Sequence, residues 1–235
     1  MTSQPFNPES LATPLVSAGK NIEEESFRII DAEMGPHSFP PDHWSIVRRV
    51  IHTTGDFEFA RLIQFHPQAV TAGCEALRRG ATIYADTRMI QVGLSSSRLQ
   101  WFGNTVVVPS SEAGVPELAE SLGITRSAAA FRYLASRLNG AIVAVGNAPT
   151  ALLETLQLIE SEQIRPALVI GVPVGFVQAE TSKEALWRCV KVPFITVLGR
   201  KGGSPVAVAI VHALLELARA ETPKHDGPQK EASRS

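Results

Sequence analysis

The sequence predicts an α/β fold: a three-layer, mostly parallel sheet flanked by helices in a single domain. Three observations predict it. Short, near-continuous apolar runs recur at residues 81–85, 141–145, 167–170 and 194–198. Strands that are apolar on both faces are buried on both faces, which is how parallel strands sit between helical layers. Helical segments separate these runs, the alternation of βαβ units. No internal repeat and no long linker interrupts the pattern, which favours one domain.

Taken in order, residues 1–19 are rich in Pro, Ser and Thr and read as a flexible arm, and residues 222–235 read as a disordered tail. The domain is expected over 20–221. Asn21, with Glu24 three residues on, opens a first helix carrying Ile22, Phe27, Ile29 and Ile30. Pro40-Pro41-Asp42 starts a second, with Trp44, Val47, Val50 and Ile51, stopped by Gly55. Pro67 and Gly80 bracket a third. Residues 99–108 suggest a strand or a hairpin around Gly103-Asn104. Thr125 caps a helix to Leu138, and a helix from the 146–150 loop runs to about Gln163. Ser182 caps a short helix through Trp187, and Pro205 can start the last helix.

Composition narrows the function classes. Lys plus Arg number 22 against 23 Asp plus Glu, so no global field selects nucleic acid or an anionic membrane. Any charged partner must be met by a local site. Cys74 and Cys189 are far apart, which argues against a disulfide framework or a cysteine metal site and fits a reducing cytoplasm. The apolar run 206–215 contains His212 and is too short to span a bilayer. The N-terminus has no cationic segment followed by an apolar core. A cytoplasmic protein with no membrane partner is expected.

In such sheets ligands bind beyond the carboxyl ends of the strands. Three segments there suit anions: Thr125-Arg126-Ser127, the Gly146-to-Thr150 loop with Asn147, and Arg200-Lys201-Gly202-Gly203-Ser204. Free N–H groups and the helix dipole favour negative charge at each. Taken singly, Thr125 or Ser204 is more simply a cap, Gly-Gly a turn, and Arg200-Lys201 a solvated rim. Their convergence in one half of the chain favours a ligand with several separated negative groups. P-loop spacing, Gly-x-Gly-x-x-Gly, His-Glu-x-x-His and Gly-x-Ser-x-Gly are all missing. Of six histidines, His225 is in the tail, His37 in a Gly/Pro loop and His212 in an apolar helix. His52 lies off the apolar face of its helix, beside Arg48, in the last turn where the dipole favours an imidazolium. From spacing alone, a solvated histidine is the better reading.

Linked motifs change that reading. Glu25-Ser-Phe-Arg-Ile-Ile-Asp-Ala-Glu33 and Val47-Arg-Arg-Val-Ile-His-Thr-Thr-Gly55 resemble the opening helices of precorrin-8X methylmutases. Asp86-Thr-Arg-Met89 with Gly93, Thr125-Arg-Ser-Ala-Ala-Ala130, Gly146-Asn-Ala-Pro-Thr-Ala-Leu152, Gly171-Val-Pro-Val-Gly-Phe-Val177, Ser182-Lys-Glu-Ala-Leu186 and Gly199-Arg-Lys-Gly-Gly-Ser204 follow in the family's order. The likeness covers about residues 21–219. It implies a homodimer and migration of the C11 methyl to C12 of precorrin-8X, or of cobalt-precorrin-8, in cobalamin biosynthesis. It places the catalytic histidine on His52, the substrate-contacting serine on Ser26 and a substrate-binding arginine on Arg126. Thr87, Arg88, Asn147, Arg200, Lys201 and Ser204 are further substrate-binding candidates. An intramolecular shift calls for no cofactor and no metal. Gln178 and Glu180 depart from the small residues many relatives carry there. The rival classes are a non-catalytic corrinoid carrier and a generic anion- or nucleotide-binding module.

Overall fold

The computed structural model describes residues 18–161 and 163–222. The expected arm and tail fall outside these residues except for Ala18, Gly19 and Thr222. The first helix, α1, runs Ala18–Met34. It therefore begins before Asn21 and takes in two residues assigned to the arm. Helix α2, Pro41–Thr54, matches its expected bounds. Proline fits its first turn because the missing N–H has no partner there in any helix. Gly55 closes it in the left-handed region (φ 63°), returning its N–H to the Ile51 carbonyl at 2.7 Å.

Beyond α2 come α3 (Phe59–Leu62), β1 (Ile63–Phe65), α4 (Ala69–Arg78) and β2 (Ile83–Ala85). Helices α5 (Arg88–Gly93) and α6 (Ser96–Leu99) precede β3 (Val106–Val107). No hairpin forms around Gly103-Asn104. The Asn104 amide instead donates to the Leu77 and Ala81 carbonyls, both at 3.0 Å, and β3 pairs parallel with β2. Helices α7 (Val115–Leu122) and α8 (Arg126–Tyr133) come next, then a 3-10 turn over Ala135–Leu138. The helix expected from Thr125 to Leu138 is thus broken at Leu134. The chain continues β4 (Ile142–Val145), α9 (Pro149–Glu160), β5 (Leu168–Gly171), α10 (Ala179–Arg188), β6 (Phe194–Val197) and α11 (Ser204–Ala220). Ser182 is not a cap: it is buried inside α10, its hydroxyl donating to the Ala179 carbonyl at 2.9 Å.

The sheet order is β1-β6-β5-β4-β2-β3, with β1 antiparallel to β6 and every other pair parallel. Alternate residues of each strand face opposite layers. Ile83, Ile142, Leu168, Ile170 and Ile195 pack with α2, α4 and α11. Tyr84, Val143, Val145, Val169 and Phe194 pack with α8, α9 and α10. The α2 face of Ile46, Val47, Val50 and Ile51 is buried against this first layer. Each such side chain stabilises the fold by about 2 kcal/mol before entropy is counted. That anchorage sets the rotation of α2 and leaves His52 on its outer side. No helix among the described residues is long and apolar enough to cross a membrane.

Candidate active site

Four strands, β2, β4, β5 and β6, end at one edge, and their following loops interlock there. Behind β2, Asp86 turns its buried carboxylate to the start of α9. Oδ1 accepts from Gly146 N–H (3.0 Å), and Oδ2 from Asn147 (2.8 Å) and Ala148 (2.7 Å). Burial pushes the Asp86 carboxyl up, and these three N–H donors pull it back. The Gly146 loop was expected to offer free N–H groups to a ligand anion. Asp86, a carboxylate of the chain itself, already occupies them, and this residue went unnoticed as a functional element. Its signal was an acid directly after a buried strand and directly before a capping Thr.

Thr87 caps α5 by accepting from Ile90 N–H at 3.3 Å, and its hydroxyl lies 3.0 Å from that of Ser204 at the head of α11. Gly146 lets these loops close: a Cβ there would sit 2.7 Å from the Ser204 Cα. Arg88 and Asn147 are exposed on the same edge. After β6, Gly203 N–H donates to the Val172 carbonyl (2.8 Å), and Gly175 N–H to the Arg200 carbonyl (3.1 Å). Gly202 adopts φ 152° with the Val172 carbonyl where its Cβ would be, so no larger residue fits. The exposed Arg200 guanidinium lies over the Phe176 ring at 5.2 Å.

Lys201 differs from its expected setting as an open cation. Its ammonium is held by Asp56, and by Glu58 at 2.5 Å. Those hydrogen bonds hold it above the ordinary lysine range and draw Asp56 below the ordinary carboxylate range. The bridge ties the segment after α2 to the β6–α11 loop, bringing the His52 end of α2 to the carboxyl edge. A cavity of about 230 Å³ joins the same two regions, lined by Thr53 next to His52, by Arg49 and His212, and by Met89 and Pro205.

His52 is exposed, its ring edge-on to Phe27 at 5.3 Å. Arg48 covers the Phe27 ring, 4.5 Å from its centre, while pairing with Asp31 at 2.8 Å. Ser26, next to Phe27 on α1, is partly exposed and donates to the Ile22 carbonyl at 2.8 Å. Ser26 and His52 thus flank one aromatic contact between α1 and α2. Arg126 opens α8 and is exposed. Thr125 caps that helix through Ala128 N–H (3.2 Å) and donates to the Thr150 hydroxyl of α9 at 2.8 Å. A cavity of about 300 Å³ runs from Thr125 and Thr150 to Gln178, so Thr125, the residue before Arg126, borders the segments that follow β4 and β5. A larger cavity, about 630 Å³, runs along the later turns of α11 and reaches Phe27, Arg48 and Arg49 beside His52, with no candidate residue in its lining.

A family model described as precorrin-8X methylmutase matches residues 21–217. The cobalt-precorrin-8 methylmutase of Leptospira interrogans is 45% identical over 211 residues, covering 87% of this chain and 96% of the relative. The precorrin-8X methylmutase of Pseudomonas aeruginosa is 43% identical, covering 83% and 94%. A crystal structure of precorrin-8x methyl mutase from Thermus thermophilus superposes with a TM-score of 0.80 at 49% identity, covering 86% and 97%. The matched span contains all six strands together with Ser26, His52, Arg126 and the loop from Arg200 to Ser204. The chain belongs to the precorrin-8X methylmutase family.

Proposed function

We propose that the chain is the methylmutase of cobalamin biosynthesis that moves the C11 methyl to C12 of precorrin-8X or of its cobalt-bearing counterpart, with His52 as proton donor. The observation that carries this reading is the placement of His52: solvent-open on the last turn of α2, with the segment just after that turn, Asp56 and Glu58, bridged by Lys201 to the loop bearing Arg200 and Ser204. The reaction is an isomerisation, so the product keeps every atom of the substrate and no group donor is consumed. A protonated His52 placed against a pyrrole nitrogen draws electron density from the ring as the methyl migrates. The substrate is a macrocycle edged with carboxylates. Arg126 and Arg88, exposed at the first positions of α8 and α5, and Arg200, exposed on the β6–α11 loop, suit carboxylates held apart on a rigid ring. Ser26, Thr87, Asn147 and Ser204 add polar contacts. Lys201, already engaged by two carboxylates, contributes mainly by holding its loop.

Homodimerisation belongs to the same proposal. Phe176 and Val177 are 84% and 82% exposed on the β5–α10 loop beside the site. Apolar side chains exposed in this way suit burial against a second copy. His52→Ala is expected to bind hydrogenobyrinate, the product, with near-normal affinity and to lose at least about a hundredfold in turnover. A visible-absorbance titration and a methyl-shift assay read the two separately. Undiminished turnover would overturn the assignment of His52, and binding without turnover in the unaltered protein would favour a carrier.

A further inference from the structure

Lys183 is a lysine where the helical pattern calls for an apolar residue. It shares the inward stripe of α10 with Ala179, Ser182 and Leu186, and it is 0% exposed. Its Nζ donates to the main-chain carbonyl of Lys201 at 2.6 Å. Among the described residues it makes no ion pair. Burial lowers its ammonium to about 8, with the Glu180 carboxylate opposing, so it carries its charge at neutral pH.

A buried ammonium with no carboxylate in ion-pair contact is costly, and an apolar side chain of similar shape fills such a site with less penalty. Packing alone therefore does not account for it. What it holds is informative: the Lys201 peptide, between Arg200 and the two glycines that lead to Ser204. The Lys201 side chain leaves in another direction, to Asp56 and Glu58. The loop thus has one cation spent on a bridge, one exposed guanidinium, and a third positive charge beneath its backbone.

We propose that Lys183 is a positioning residue for the substrate. It fixes the Lys201 peptide so that Arg200 and Ser204 meet a carboxylate arm of the macrocycle, and that carboxylate complements its buried charge. This rests on the reading of the carboxyl edge as the substrate site. The test uses Lys183→Met, which keeps the stem and removes donor and charge, and Lys183→Gln, which keeps an N–H donor without charge. Hydrogenobyrinate is titrated into each protein by visible absorbance, with thermal unfolding and steady-state kinetics alongside. Both variants should bind about tenfold more weakly or worse. KM should rise in step with Kd, kcat should fall by less, and the melting temperature should hold or rise. Wild-type affinity in Lys183→Gln overturns the proposal, as does a lowered melting temperature with unchanged Kd in either variant. Failure of the unaltered protein to bind hydrogenobyrinate would refute the site reading instead.

Discussion

Asp86→Asn isolates the contribution of the internal carboxylate that organises the carboxyl edge. The substitution keeps the shape and turns one acceptor oxygen into an NH2 group. Asp86 receives three N–H donors, one on Oδ1 and two on Oδ2. If the asparagine carbonyl replaces Oδ2, Gly146 N–H faces another donor; if it replaces Oδ1, Asn147 and Ala148 do. Hydrogen bonds to a charged acceptor are worth roughly 1.5–3 kcal/mol each, and a buried donor left without a partner costs about 1–3 kcal/mol. Against this, removing a charge whose carboxyl burial pushes up recovers part of its desolvation cost. Gly146 is buried, so its N–H cannot turn to water. The balance is a loss of about 3 kcal/mol, which for a chain of this length lowers the melting temperature by roughly 6–12 °C. Urea unfolding followed by circular dichroism measures it. A loss under about 1 kcal/mol would refute the reasoning, because it would mean that the three bonds add almost nothing beyond the cost of burying the charge.

Two further outcomes follow from groups outside the reaction. Burial, with the charges of Arg98 and Arg49, lowers His212 to about 4, and its Nε2 accepts Ser95 N–H at 3.0 Å. The unfolded chain binds this proton near pH 6.5 and the native state only near 4. Stability from this group is therefore complete above about 6.5 and lost as pH falls to about 4, by up to roughly 3 kcal/mol. His212→Gln should flatten that part of a urea-unfolding pH series; an unchanged slope would assign it to other groups. Gln178 is the one non-glycine residue at positive φ (60°) among those described. Gln178→Gly should raise stability by about 0.5–1 kcal/mol by removing the Cβ clash, and a lower melting temperature would show that side-chain contacts outweigh the strain.

Local physics made much of the fold legible. Pro41 and Gly55 bounded α2 because each acts on its own backbone. The apolar runs gave β2, β4, β5 and β6 because burial on both faces leaves no room for alternation. Strand β1 was missed: Ile63-Gln64-Phe65 is three residues long and exists through pairing with Ile195-Thr196-Val197, far along the chain. Ser182 was read as a cap because spacing cannot tell a hydroxyl that starts a helix from one that returns to its own turn. The same blindness to long-range partners governed the site. The Gly146 loop was recognised as an anion cradle, but not that Asp86 fills it. The positive charge of Lys201 was evident, but not its two carboxylates. His52 owed its prominence to the linked motifs, since one exposed histidine at a helix end carries no mark of its task.

The sheet order has a consequence for how the chain is made. Strand β1 finds its partner in β6, and α2 and α4 bury their apolar faces against α11, the last described helix. The N-terminal third therefore cannot complete its core while it emerges from the ribosome, and must wait for residues 194–220. Contacts this distant in sequence slow folding and leave apolar surface open in the interim. The helix that carries His52 is thus made early and seated late, and the proposed proton donor reaches its place beside the carboxyl edge only with the closing steps of folding.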